Sequence, residues 1–218
     1  MSNFEKTEKN TVKRVPKRGH YDKETIYPIL DEAFFCTVSF IHEGEAVGIP
    51  MLHAREGDAL YLHGSTKSRL MVELGNSSQV CVSVTHFDGL VLARSVFHSS
   101  ANYRSAVCFG TPKAIVSEEE KDEALRLFVE KLIPGRWEDA RRPNAQELKG
   151  TLVVRLDMEA ASAKIRTGPP IDDEDDYELD VWAGVLPSEQ KYGAFESDSK
   201  LREGTEIPEY LHTWRKKL

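Results

Sequence analysis

A chain of 218 residues, 40% hydrophobic and 30% charged with a formal net charge of −7, has the make-up of a globular protein able to bury roughly 70% of its unfolded surface, and its acidic balance argues against general nucleic-acid binding. No stretch approaches the roughly 18 uncharged apolar residues of a membrane span, and the first residues lack the apolar run of a signal peptide. The three cysteines, Cys36, Cys81 and Cys108, fall in apolar strand-like runs without CxxC spacing, so buried free thiols and a cytoplasmic location are expected.

Residues 1–15 are polar and basic and read as a mobile tail. Asp22 is a good N-cap, and Ile26, Ile29, Leu30 and Ala33 then keep the spacing of a core-facing helix. Phe34–Ile41 is rich in aromatic and β-branched residues and predicts a strand. Turns at 43–45 and 56–58 separate it from strands at 46–54 and 59–63, which together predict an antiparallel meander. Gly64-Ser65-Thr66 opens a short helix carrying Leu70, Met71 and Leu74. Val80, Val82 and Val84 alternate with Cys81, Ser83 and Thr85 as in a half-exposed strand. Further strands are expected at 90–97, 103–116 and 151–156, and a helix at 118–132 with Leu125, Phe128, Val129 and Leu132 on one face. Residues 168–176 read as a Gly-Pro-Pro loop followed by a solvated acidic run. Many short strands with few helices define a mainly β protein with α additions, a barrel rather than a doubly wound sheet. One domain over 16–190 with a C-terminal extension at 191–218 is the expected organisation.

Chemistry concentrates in Leu60–Arg69, where a strand ends, a Gly-Ser-Thr turn follows and a helix starts. Helix starts present unpaired N–H groups and positive potential, so Lys67 and Arg69 there work against the dipole unless an anion docks. The segment is either a phosphate cradle, with Ser65, Thr66 and Ser68 as donors, or an ordinary cap with two solvated cations. In Asn102-Tyr103-Arg104-Ser105, Arg104 is either a bidentate phosphate contact or an exposed strand-edge arginine. Arg94, inside an apolar run, needs either a structural carboxylate or a ligand. His53 and His63 lie in successive predicted strands, but no HxxxH, HExxH or Cys/His spacing supports a metal site. GxSxG, Walker A and GxGxxG motifs are absent from the sequence.

Taken in order, Arg14-Val-Pro-Lys-Arg-Gly-His-Tyr-Asp, Leu60-Tyr-Leu-His-Gly-Ser, Asp88-Gly-Leu-Val-Leu-Ala-Arg-Ser, Asn102-Tyr-Arg-Ser, Pro134-Gly-Arg-Trp, Arg166-Thr-Gly-Pro-Pro and Val181-Trp-Ala-Gly-Val resemble the FMN-binding split-barrel family of pyridoxamine-phosphate oxidases and nitroimidazole-resistance proteins. The resemblance implies an antiparallel, Greek-key-like split β-barrel with FMN at a homodimer interface. It implies backbone contacts to the flavin near Pro50 and Met51, and a phosphate at Gly64, Ser65, Lys67, Ser68 and Arg69. It further implies contacts from Tyr103, Arg104 and Ser105, and Trp182 contributed by the other subunit. His63 becomes the residue beside the catalytic centre. The C-terminal Arg-Leu-His-Asp-Arg-like signature of pyridoxamine-phosphate oxidases is missing from Glu209–Leu218, so pyridoxal-phosphate synthesis is not expected. The expectation is an FMN-dependent oxidoreductase reducing a small molecule, with NADH or NADPH as candidate reductant and no nucleic-acid or membrane partner. The alternatives are a flavin carrier or sensor, and a haem-binding split barrel with His63 or His98 as ligand.

Overall fold

A computed structural model describes residues 2–77 and 79–216. After a one-turn 3-10 helix at Pro16–Arg18, a two-residue strand β1 (Gly19–His20) leads to helix α1 (Lys23–Glu32). Asp22 is extended and its carboxylate accepts from the Thr25 N–H at 2.8 Å, which starts α1 where the sequence places it. Ile26, Ile29 and Leu30 then face the core. Strands β2 (Phe35–His42) and β3 (Glu45–Leu52) form a hairpin closed by Glu43 and Gly44, both in the left-handed region.

The meander expected next is not one sheet. The chain bends at His53, whose N–H reaches the Phe34 carbonyl, and β4 (Ala54–Glu56) and β5 (Ala59–Ser65) pair in a second sheet. Helix α2 (Arg69–Asn76) is followed by the long strand β6 (Val80–Leu92). Residues 93–99 form a loop, not the strand expected over 90–97, and β7 (Ser100–Gly110) and β8 (Pro112–Ile115) follow. Helix α3 (Glu118–Leu132) is capped by Ser117; two short helices, α4 (Arg136–Asp139) and α5 (Ala145–Gly150), lead to β9 (Thr151–Asp157) and β10 (Ala160–Arg166). A last strand, β11 (Gly184–Pro187), and helix α6 (Glu209–Lys216) complete the chain.

The larger sheet runs β1-β10-β7-β6-β2-β3, with β11 added at the far end of β6; the smaller runs β4-β5-β9-β8, and every pairing is antiparallel. This is the split β-barrel. Val38 and Val82 of the large sheet and Leu60, Leu62, Val154 and Leu156 of the small one are all fully buried in the core between the sheets. Each such side chain contributes about 1.5–3 kcal/mol of burial. A smaller second core, with Tyr61, Val153 and Phe128, lies beneath α3.

Residues 2–15 are not a free tail. Phe4 is buried in the main core, and the Asn10 amide donates to the Ala161 carbonyl, so an apolar ring and a satisfied polar group anchor the segment. The extension folds back, with Tyr210 bonded to Asp139 and the rings of Tyr192 and Trp214 in edge contact. Met1 of the expected tail and Lys217 and Leu218 of the expected extension lie outside the described residues. Gly89 marks a bulge in β6: at φ 150°, a Cβ there would sit 2.5 Å from the Leu186 carbonyl oxygen, so only glycine lets β11 approach. Among the described residues no helix is long and apolar enough to cross a membrane.

Candidate functional site

Strand alternation decides what β5 offers. Leu60 and Leu62 enter the main core, while Tyr61 and His63 turn toward α3. The His63 ring packs edge-on against Phe128 with 4.3 Å between centroids, and its buried Nδ1 has no hydrogen-bond partner. Burial pushes its pKa down, favouring the neutral ring. The strand also runs two residues beyond His63, to Ser65.

Gly64 returns to the main-core side, where a Cβ would lie 2.9 Å from Met71 Cγ; its bareness seats α2 against the strand. The turn is then built by backbone: Thr66 N–H donates to the Gly150 carbonyl at 3.1 Å and Ser68 N–H to the Ser65 carbonyl at 2.9 Å. The Ser65 hydroxyl accepts from Lys67 N–H. Ser68 is the N-cap of α2 but its hydroxyl caps nothing. Among the described residues Lys67 and Arg69 make no ion pair, and both are exposed. The start of α2 is therefore cationic, uncapped and open.

The other expected contacts lie elsewhere. Pro50 is exposed on β3 opposite Thr37, while Met51 packs against the main core. Tyr103 and Ser105 share one face of β7, and the Ser105 hydroxyl donates to the Lys164 carbonyl at 3.1 Å. Arg104 points the other way, to the end of α1, where its guanidinium is gripped by Glu32 and, at 2.9 Å, by Asp88. This pairing holds the Glu32 carboxyl below its ordinary pKa. Two carboxylates already neutralise Arg104, so it is not free for the phosphate contact expected of it; it lines a polar cleft of about 450 Å³ with Thr85, Asp88 and Ser188. Trp182 is 69% exposed, beside the edge strand β11.

Arg94 finds its partner in Asp172. That carboxylate is fully enclosed and accepts from the backbone N–H groups of Arg94 and Ser95 and from the Arg94 guanidinium at 3.2 Å. The first residue of the acidic run is thus a buried clasp rather than solvated; only those after Asp172 lie at the surface. His98, Asp173 and Asp176 place their ligand atoms within 4.8 Å of one another, but the Asp173 side chain is largely exposed and its carboxylate stands 3.3 Å from His98. The sequence pattern missed a further pair. His53 is 1% exposed, its Nε2 sits 2.8 Å from the Leu30 carbonyl and 3.0 Å from Lys131 Nζ, and its Nδ1 has no partner. Burial first, and then the Lys131 charge, push the His53 pKa down to about 4. Burial lowers that of Lys131 to about 8. A helix and the bend between β3 and β4, 78 residues apart, leave no local signal for this contact.

The molecule is thus a split β-barrel with an open cationic helix start at the end of a barrel strand. The chain belongs to the pyridoxamine 5′-phosphate oxidase family, whose sequence profile matches residues 22–165. The flavocytochrome Anf3 from Azotobacter vinelandii is 38% identical, with 95% of this chain and 96% of that one covered and a TM-score of 0.91. The FAD and heme binding protein from Mycobacterium smegmatis is 34% identical over 90% of this chain and 96% of that one, with a TM-score of 0.86. A candidate 5-nitroimidazole antibiotic resistance protein from Bacteroides thetaiotaomicron, 24% identical over 67% of this chain and 86% of that one, shares the fold at a TM-score of 0.58. No curated protein matches significantly.

Proposed function

We propose that this protein is a flavin-nucleotide-dependent redox protein that works as a homodimer. The observation carrying the reading is the similarity to two flavin-named relatives at 38% and 34% identity over 95% and 90% of the chain. The start of α2 fits a nucleotide phosphate: its N-cap hydroxyl is unused, and its two cations have no counter-charge among the described residues. Lys67, Ser68 and Arg69 would hold that phosphate. The flavin, when bound, supplies the electron transfer; the chain supplies binding and orientation. FMN is what the resemblance in the sequence implies, whereas the mycobacterial relative is named for FAD. The phosphate site suits either.

The homodimer is supported by apolar surface. Leu90 and Leu186 face each other across β6 and β11 and are 44% and 58% exposed, beside the exposed Trp182. A two-fold partner would bury such a patch. A second reading adds haem, for which both relatives give reason. Of the two candidate histidines, His63 is closed in against Phe128, whereas His98 stands on the 93–99 loop beside the exposed Val96 and Phe97. An imidazole flanked by apolar surface suits a haem ligand, and Asp173 would orient it.

Arg69→Ala should weaken FMN and FAD binding by about 1.5–3 kcal/mol, roughly tenfold to a hundredfold, and leave riboflavin binding unchanged. Fluorescence titration reads this, and equal losses for riboflavin refute the phosphate site. Sedimentation of the same samples should show a dimer that Trp182→Ala weakens; a monomer binding flavin stoichiometrically refutes the dimer. Anaerobic mixing with NADH or NADPH separates an enzyme, whose flavin bleaches, from a carrier, whose flavin does not.

A further inference from the structure

Arg166, the last residue of β10, is a buried cation without a counter-ion. It is 6% exposed, and its guanidinium donates to the Asn102 side-chain oxygen and, at 3.4 Å each, to the carbonyls of Gly168 and Pro169. All three acceptors are neutral, and among the described residues no carboxylate pairs with it. Arg55, Arg94, Arg104 and Arg155 of the same barrel each have a carboxylate. Burying an arginine's charge against neutral dipoles alone is unfavourable, and a guanidinium offers five donors, more than these contacts use.

The surroundings add charge of the same sign. Register sets Tyr103 opposite Arg166, and Ser105 opposite Lys164, so Lys164 and Arg166 fall on one face of the sheet with Tyr103 and Ser105. Gly19 of β1 pairs with Lys164, so Arg18 stands at this edge, with Lys17 and Arg14 in the segment that leads into it. None of those three makes an ion pair with a carboxylate among the described residues. Arg18 is near enough that its charge, added to burial, depresses the Arg166 pKa. The turn delivering Arg18 is also strained: Val15, β-branched, sits at φ 53° and ψ 63°, a left-handed conformation that β-branched residues avoid. A chain with a net charge of −7 has concentrated unpaired cations at one sheet edge, around a buried arginine with donors to spare.

We infer that Arg166 and Arg18 form a phosphate-binding site on this edge, apart from the start of α2, which takes a phosphate of a nucleotide. Two nucleotides could supply it, a dinucleotide flavin or a nicotinamide nucleotide, and both present phosphate to arginine in the same bidentate way. The site stands on its own residues and does not need the flavin reading.

The test uses the full chain in buffer free of phosphate and sulfate, with Arg18→Ala and Arg166→Gln. Inorganic pyrophosphate should raise the wild-type melting temperature, and each variant should weaken pyrophosphate binding about tenfold or more by calorimetry. Loss of FAD affinity without loss of FMN affinity assigns the phosphate to the flavin; loss of NADPH affinity alone assigns it to the nicotinamide nucleotide. A wild type that binds no flavin refutes the flavin reading and leaves the pyrophosphate result to decide this one. The site is overturned if pyrophosphate does not bind, or if Arg18→Ala leaves all affinities unchanged. It is also overturned if Arg166→Gln lowers stability without touching affinity, which would make Arg166 a clamp for the 167–170 loop. Pyrophosphate binding lost in both variants with neither nucleotide affected overturns the nucleotide assignment.

Discussion

Leu62→Ala should destabilise the fold by about 2–5 kcal/mol, while His63→Ala, one residue on, should cost no more than about 1 kcal/mol. Leu62 is fully buried between the two sheets, so truncation leaves a cavity at the centre of the barrel. His63 lies in the smaller core and carries a buried Nδ1 without a partner. Removing its ring forfeits an aromatic contact of about 0.5–1.5 kcal/mol but also relieves an unsatisfied polar atom, worth about 1–3 kcal/mol, and the remaining packing loss offsets that relief. Urea unfolding of the two variants gives the comparison directly. Equal losses would mean that β5 does not divide its side chains between the two cores.

Acid should destabilise the protein through His53. Its folded pKa of about 4 lies below the ordinary value of 6.5, because burial and the Lys131 charge both disfavour the imidazolium. The unfolded chain therefore takes up the proton first. Stability from this group is complete above pH 6.5 and is lost as pH falls toward 4, by about 3 kcal/mol at pH 4. Carboxylates titrate in the same range, so the informative quantity is a difference. His53→Gln keeps a polar side chain but cannot titrate, and wild type should lose about 3 kcal/mol more than this variant between pH 7 and pH 4. Parallel pH profiles for the two proteins would contradict the buried neutral histidine.

Elements with local signals are legible in the sequence. Asp22 and Ser117 bond to backbone N–H groups within their own segments, and α1 and α3 start where those residues stand. Valines at 80, 82 and 84 announce β6. Strand β10 is silent by comparison: its buried run Ala160-Ala161-Ser162-Ala163 lacks β-branched or aromatic residues. The polar N-terminal segment hides one buried ring, Phe4, whose partners are remote in sequence. In the candidate site, the Gly-Ser-Thr turn and its cations are local and readable. Whether an arginine is free is not, since Arg104 is claimed by Glu32, 72 residues away, and Arg94 by Asp172, 78 residues away. Arg166 shows the converse, an arginine whose lack of a carboxylate appears only once the strands are aligned.

The absorption spectrum of the purified protein, before and after addition of FAD or FMN, tests flavin binding most directly. Flavin absorption, either as purified or taken up stoichiometrically, is the expected result, and a haem Soret band beside it would support the second reading with His98→Ala removing it. A colourless protein that binds neither FAD nor FMN would contradict the proposed function, whatever its similarity to flavin-binding relatives.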